Sequence, residues 1–390
     1  MAVGPAVALG LARFAYALIL PTMRQHFGWS LTTAGVMNTA NAVGYMIGAA
    51  GAARIAGRVG SRRTFLVSLT VTAAALLVTA VSSGTAWIAL FRLVSGLAGG
   101  IAFVVGGGLV AQAGAHDAPG RAALLLGIYF GGAGFGIVVS ALTVPALLAV
   151  VGRAIGWRLA WGVLGGIGML GLAGAIPATR LIDRPGGAGV RRSQDGWLLG
   201  GFWPMLVSYG LYGAGYIVYM TFIIAYFQQR GIGPQDITLF WTLLGLVAML
   251  SGFVWSRLLG RIPGGFGAAG LVVLVLSGVL LPLWSTALAP ILGSAVLFGL
   301  GFLAVVTAIT VVVRRNLAPE YWTGALAGLT VAFGLGQSAG PTLAGYVSSG
   351  PDGVRSGLLV SAGILAASAM LAVLQRDDAA SPVRRVPSVE

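Results

Sequence analysis

Cysteine is absent from the 390 residues, and so is lysine: all 23 basic residues are arginine. Without cysteine there is no disulfide, no thiolate metal site and no thiol nucleophile. Charge is scarce as well. Charged residues make up 8% of the chain, about a third of the ~25% that soluble domains carry. That shortage excludes a water-surrounded globular protein. Only nine carboxylates and two histidines are present, which leaves little from which to build paired catalytic acids or a metal site. What the chain has in quantity is apolar. Hydrophobic residues make up 57% of it, 63 residues are glycine, and the mean hydropathy is +0.94. The glycines follow no G-X-Y period, which excludes collagen.

Apolar stretches recur near 3–22, 33–53, 64–82, 86–111, 122–148, 159–178, 199–227, 236–256, 264–285, 288–313, 322–348 and 357–374. Each is long enough to cross a bilayer as a helix, and none alternates in the ten-residue manner of a membrane barrel. The fold class expected is therefore all-α integral membrane, with twelve transmembrane helices. The first stretch lacks a basic leader and is interrupted by Arg13, so it reads as a mature helix and not as a signal peptide. With the N-terminus placed in the cytoplasm, 16 arginines fall in inner connections and the tail and five in outer ones, while Arg13 and Arg92 lie within spans. This bias follows the positive-inside rule and expects both termini in the cytoplasm. The net charge of +14 is then mostly an orientation signal, and nucleic acid is not an expected partner.

The longest polar connection, 181–197, reads as a cytoplasmic linker between halves 1–180 and 198–375, with 376–390 as a tail. The halves echo each other at an offset of about 200 residues. Gly10-Leu11 and Tyr16 match Gly210-Leu211 and Tyr216. Arg54-Ile55-Ala56-Gly57-Arg58 matches Arg257-Leu258-Leu259-Gly260-Arg261, and Gly132-Ala133-Gly134 matches Gly334-Leu335-Gly336. Parallel six-helix repeats are one architecture of rocking secondary transporters, with the solute site at the interface of the repeats.

Over essentially its whole length the chain resembles the major facilitator superfamily. The superfamily's loop between helices 2 and 3 carries G-x-L-A-D-R-x-G-R-R; here Arg58, Gly60, Arg62 and Arg63 match while Gly57 replaces the acid. Gly260, followed by Arg261, does the same in the second copy. Arg92, Gly96 and Gly100 resemble the fourth-helix motif RxxxGxxxG, and Gly156-Trp157-Arg158 the common start of helix 6. Two segments are similar to the YbfB/YjiJ-type branch, Gly10–Tyr16 with Leu20-Pro21, and Phe333–Pro341. The resemblance implies a monomeric twelve-helix carrier in the cytoplasmic membrane, with the arginine loops as gating elements.

Every acid sits in a connection, at a span end or in the tail, so no mid-membrane carboxylate is available as a proton site. Arg13 and Arg92 are deep cations without an acidic neighbour, and the counter-ion of such a charge is either backbone carbonyls or a solute. Asn38, Asn41 and Tyr45 form one stripe of helix 2. Tyr209, Tyr212, Tyr216 and Tyr219 form a stripe of helix 7, readable as packing or as a solute wall. Tyr16 and Gln337 complete the candidate solute-binding set. The glycine runs at 106–108 and 131–136 lack the context of a phosphate loop and read as close-packing surfaces. The function expected is secondary transport of a small organic solute, an anionic metabolite being favoured, coupled to a solute, proton or other ion gradient. The alternative is proton-antiport export of drugs or amphipathic metabolites. No catalytic residue, metal or cofactor is expected.

Overall fold

The computed structural model describes residues 1–114, 121–182, 201–255, 258–349 and 353–377. Nearly all of the 181–197 connection lies outside these residues, as do Asp117, Asp183, Asp195, Asp352, Asp378, Glu390 and His116. Twelve long helices and no strand occur among the described residues. They are α1 Val3–Phe27, α2 Leu31–Val59, α3 Ser61–Val81, α4 Thr85–Gly114, α5 Arg121–Val151 and α6 Arg153–Ile182. The second half supplies α7 Trp203–Gln229, α8 Pro234–Trp255, α9 Phe266–Trp284, α10 Leu288–Asn316, α11 Pro319–Val347 and α12 Val354–Val373.

Most helices overrun the apolar stretches that announced them. Hydropathy marks only the hydrocarbon segment, whereas the hydrogen-bond ladder continues until something stops it. Gly28 at φ 64° ends α1, and Gly60 at φ 93° ends α2. Gly152 at φ 77° precedes α6, so Trp157 and Arg158 lie inside that helix and not ahead of it. α10, expected to be continuous, is interrupted at Leu303 between Leu288–Phe302 and Ala304–Asn316.

Ten of the helices are long and apolar enough by composition to cross a membrane, and α2 and α11 are less apolar. These two meet across the halves, as α5 and α8 also do. The Thr39 hydroxyl donates to the Ser338 carbonyl at 2.6 Å and lies 2.8 Å from the Thr342 hydroxyl. Each helix thus hides the other's polar groups from lipid, where they would be costly. Gly35 sits so close to the Pro341 carbonyl, and Gly345 to that of Leu31, that neither site has room for a Cβ.

The internal repeat becomes a repeated helix crossing. Gly10 of α1 lies directly on Gly136 of α5, and 200 residues later Gly210 of α7 lies on Gly336 of α11. The RxxxGxxxG motif has a similar origin. Gly96 and Gly100 of α4 press on the Asn41 and Tyr45 carbonyls of α2, while Gly44 and Gly48 press back on those of Leu93 and Leu97. Small residues in register let these backbones touch, which holds helices together where lipid supplies no hydrophobic drive.

Candidate functional site

The site begins with an irregularity in α1. Residues Ala6–Phe14 form a π-helical segment, closed where the Ala15 N–H donates to the Gly10 carbonyl at 3.0 Å. Such widened turns are uncommon and concentrate at functional positions. Arg13 lies at the end of this segment with 3% of its surface exposed. Its Nη2 donates to Gln337 Oε1 of α11 at 2.5 Å, and its guanidinium sits 5.3 Å from the centroid of the Tyr45 ring. Gln337 in turn donates through Nε2 to the Tyr216 hydroxyl of α7. One chain of contacts therefore runs α1–α11–α7 across the two halves.

Arg13 is under-satisfied. Its Nε has no hydrogen-bond partner, and no carboxylate reaches it among the described residues. The half-buried Tyr45 ring lies against the same guanidinium. Buried polar groups are almost always paired, and a buried cation more so. An idle N–H on a buried cation describes a place for an acceptor, best an anionic one.

Arg92 presents the opposite case. It is 1% exposed, and each of its three nitrogens donates: Nη1 to the Ala12 carbonyl, Nε to that of Met37 at 3.4 Å and Nη2 to Asn38 Oδ1 at 3.3 Å. The rings of Tyr16 and Trp161 flank it at 4.6 and 5.5 Å. Tyr16 itself donates to the Ala34 carbonyl at 2.8 Å. Asn41 is likewise occupied, donating to the Arg92 carbonyl and to Ser95 Oγ, both at 3.1 Å. Arg92, Tyr16 and Asn41 thus join α1, α2 and α4 of the first half.

The tyrosine stripe of α7 forms a wall. Tyr209, Tyr212 and Tyr216 stack successively at centroid distances of 6.2 and 5.3 Å, and Phe333 of α11 stacks on Tyr209 at 4.6 Å and on Tyr216 at 5.6 Å. Tyr212 donates to the Phe302 carbonyl at the interruption of α10, and the Tyr219 hydroxyl meets Ser294. Sequence reasoning missed three participants. Thr221 accepts from Asn38 Nδ2 at 2.5 Å, another bridge between the halves. Phe333 and Thr39 stand beside residues singled out as Gln337 and Asn38, but nothing in a lone sequence marks which helices face one another.

In the two arginine loops, Arg62 donates to Thr179 Oγ1 at 3.3 Å, while Arg58, Arg63 and Arg261 are exposed. A Cβ at Gly57 or Gly260 would meet nothing within 4 Å, so the missing acid is not excluded by crowding. The second loop receives a carboxylate from elsewhere. Asp377, beyond α12, accepts from the Gly264 N–H at 2.7 Å, from Asn316 Nδ2 at 3.0 Å and from Arg315 Nη1 at 3.3 Å. Arg315 also donates to the carbonyls of Ile262 at 2.6 Å and Gly260 at 3.2 Å. Partial burial pushes the Asp377 carboxyl up, but the Gly264 N–H, the Asn316 amide and the Arg315 guanidinium outweigh it and hold it below the usual carboxylate range.

A helical bundle of two matched halves, with polar helices turned inward and a cation at their seam, defines a membrane transporter. The chain belongs to the major facilitator superfamily, in the family described as the uncharacterised MFS-type transporter YbfB, which matches residues 5–373. Comparison with curated proteins gave no match. Among solved structures the chain is similar to a bacterial homologue of the human lysosomal transporter Spinster. The inward-facing, unoccupied form gives a TM-score of 0.72 at 16% identity, covering 96% of this chain and 95% of that one. Its occupied form gives 0.69 at 15% identity over 96% and 95%. The nucleoside transporter NupG gives 0.68 at 12% identity over 96% and 98%. The protein is therefore a multi-pass membrane transporter of the twelve-helix superfamily fold, a family of carriers and not of enzymes.

Proposed function

We propose that the protein moves a small organic anion across the cytoplasmic membrane by alternating access, with Arg13 as the anchor of the anionic group. The observation that carries this is the unpaired Nε of a buried guanidinium placed between the halves. Tyr45 supplies the second donor, and Gln337 with Tyr216 presents the opposite half to the same solute. Asn38, Asn41, Arg92, Tyr16 and Tyr212 hold the frame through their own partners. Gly57, Arg58, Gly60, Arg62 and Arg63, with Gly260 and Arg261, form the loops that shift as the halves rock. The monomer is the working unit, and both termini face the cytoplasm, as the arginine bias supports. A solute or ion gradient, of protons or another ion, supplies the energy.

The aromatic wall of Tyr209, Tyr212, Tyr216 and Phe333 supports a second reading, proton-antiport export of amphipathic drugs or metabolites. Both are tested in proteoliposomes. In the first reading, a labelled organic acid exchanges across the membrane with wild-type protein and does not with folded Arg13→Ala protein. Undiminished exchange in that variant overturns the anion site. Flux of neutral or cationic amphipaths driven by an imposed pH gradient, with none of organic acids, replaces it with the second reading.

A further inference from the structure

Further along α1 from Arg13, the two halves line another space, of about 470 Å³, open at one rim. Leu18 and Thr22 of α1 and Pro145 of α5 form one side, while Ile224 and Gln228 of α7 and Ile237 of α8 form the other. Ile224 and Gln228 continue the i+4 row of α7 that starts at Tyr216. The cavity thus lies further along the seam that holds the central site, toward the ends of the helices remote from the Gly60 loop. Two bridges between the halves separate the levels. Asn38 donates to Thr221 at 2.5 Å, and the Trp241 indole N–H donates to Ser140 Oγ at 3.3 Å.

The lining specifies a kind of occupant. None of its side chains is charged, so an ion entering it would shed water and gain no counter-charge. Leu18, Ile224 and Ile237 are buried at its depth, while Gln228 and Ala149 are exposed at its rim. Thr22, only 4% exposed, lines the cavity and makes no side-chain hydrogen bond among the described residues, its hydroxyl remaining open to that space. A cavity of this volume, lined by apolar side chains with two neutral polar ones, Thr22 and Gln228, falls in the range of small-molecule sites.

The geometry points to a second ligand site here, for a neutral apolar molecule bearing one hydroxyl or carbonyl group. That group pairs with Thr22, and the body of the molecule packs on Leu18, Ile224 and Ile237. Because its walls belong to both halves, the occupant ties them together on this face. This site is independent of the anion at Arg13.

The natural absence of cysteine makes the test direct, since Gln228→Cys places a single thiol at the rim without touching a packed position. Its reaction with N-ethylmaleimide is followed in the presence of 4-phenylphenol, neutral at pH 7, and of biphenyl-4-carboxylate, its anionic match in shape. Saturating phenylphenol is expected to slow labelling at least fivefold and the carboxylate less than twofold. Thr22→Val, which keeps the shape and removes the hydroxyl, raises the phenylphenol concentration needed about tenfold, and Ala149→Phe abolishes protection. Arg13→Ala in the same background leaves protection intact whatever becomes of anion transport. No protection, equal protection by both probes, or indifference to Thr22→Val overturns the site. So does equal slowing at a lipid-facing Leu142→Cys control, because it shows simple partition into the apolar phase.

Discussion

Arg13 on α1 and Gln337 on α11 stand 324 residues apart in sequence, yet their side chains meet at 2.5 Å and join the two halves. The amide gives Arg13 an oxygen but no charge. Gln337→Glu would place a carboxylate where the amide oxygen lies, internally neutralising the cation. Charge-assisted pairs of this kind contribute roughly 1.5–3 kcal/mol. The variant is expected to melt several degrees higher than wild type while losing more than tenfold in anion affinity, measured by thermal shift against organic acids. Unchanged binding in the presence of that carboxylate would show that the solute does not use Arg13.

Arg92 has no idle nitrogen, and its removal strands the Ala12 and Met37 carbonyls and Asn38. Arg92→Ala should cost on the order of 2–4 kcal/mol of stability, read as a lower melting temperature by tryptophan fluorescence. Arg92→Lys should recover only part, since an ammonium lacks the planar fork that reaches three acceptors. A variant that melts normally but binds no solute would instead move Arg92 into the solute site.

Asn38 and Thr221 bridge the halves by a single hydrogen bond at 2.5 Å. A double-mutant cycle with Asn38→Ala and Thr221→Ala should return a coupling of about 0.5–1.5 kcal/mol, the range of interhelical hydrogen bonds in membrane proteins. Additive single effects would mean that the bond is not made in the resting protein. Asn38→Ala alone should lower the melting temperature more than Thr221→Ala, because Asn38 also accepts from Arg92.

At Gly336 a Cβ would collide with the backbone of Gly210 and Ala214, whereas at Gly108 it would meet open space. Both lie in helices, so intrinsic propensity favours alanine at each by up to ~1 kcal/mol. Gly336→Ala is nevertheless expected to destabilise by about 1–3 kcal/mol through overpacking, while Gly108→Ala is neutral or stabilising. Similar melting temperatures for the two variants would contradict the close α7–α11 crossing.

Asp377 ties the end of α12 to the α8–α9 loop and to α10. Its folded-state pKa lies below the unfolded value of about 3.9. Its contribution is therefore full above about pH 5 and is lost as the pH falls below 4 through the depressed value. Asp377→Asn should lower stability at neutral pH and flatten that acid dependence, with the two proteins converging once the pH falls below the depressed value. The pair is partly exposed, so the difference should be modest and should shrink with salt. Parallel pH curves would place the acid sensitivity elsewhere.

Helix number, approximate spans and the internal repeat were legible in the chain because each rests on local quantities: apolar run length, and residue identity at fixed offsets. Arg13 was legible for the same reason, since a charge inside an apolar run is costly wherever it lands. The split between Arg13 and Arg92 was not. Both are arginines within spans, and only the positions of Ala12, Met37 and Asn38 leave one satisfied and the other with an idle nitrogen. Asp377 was read simply as a tail residue, because its partners belong to other helices.

By itself, then, the sequence determined that this chain lives in a membrane as two related sets of helices, and that two cations are carried inside. Periodicity and solvent preference act along the chain, so the chain records them. Which donors remain free, which helices touch and where a cavity persists between the halves depend on contacts between residues as far apart as Arg13 and Gln337. Those are pairings across space, and only the tertiary structure decided them.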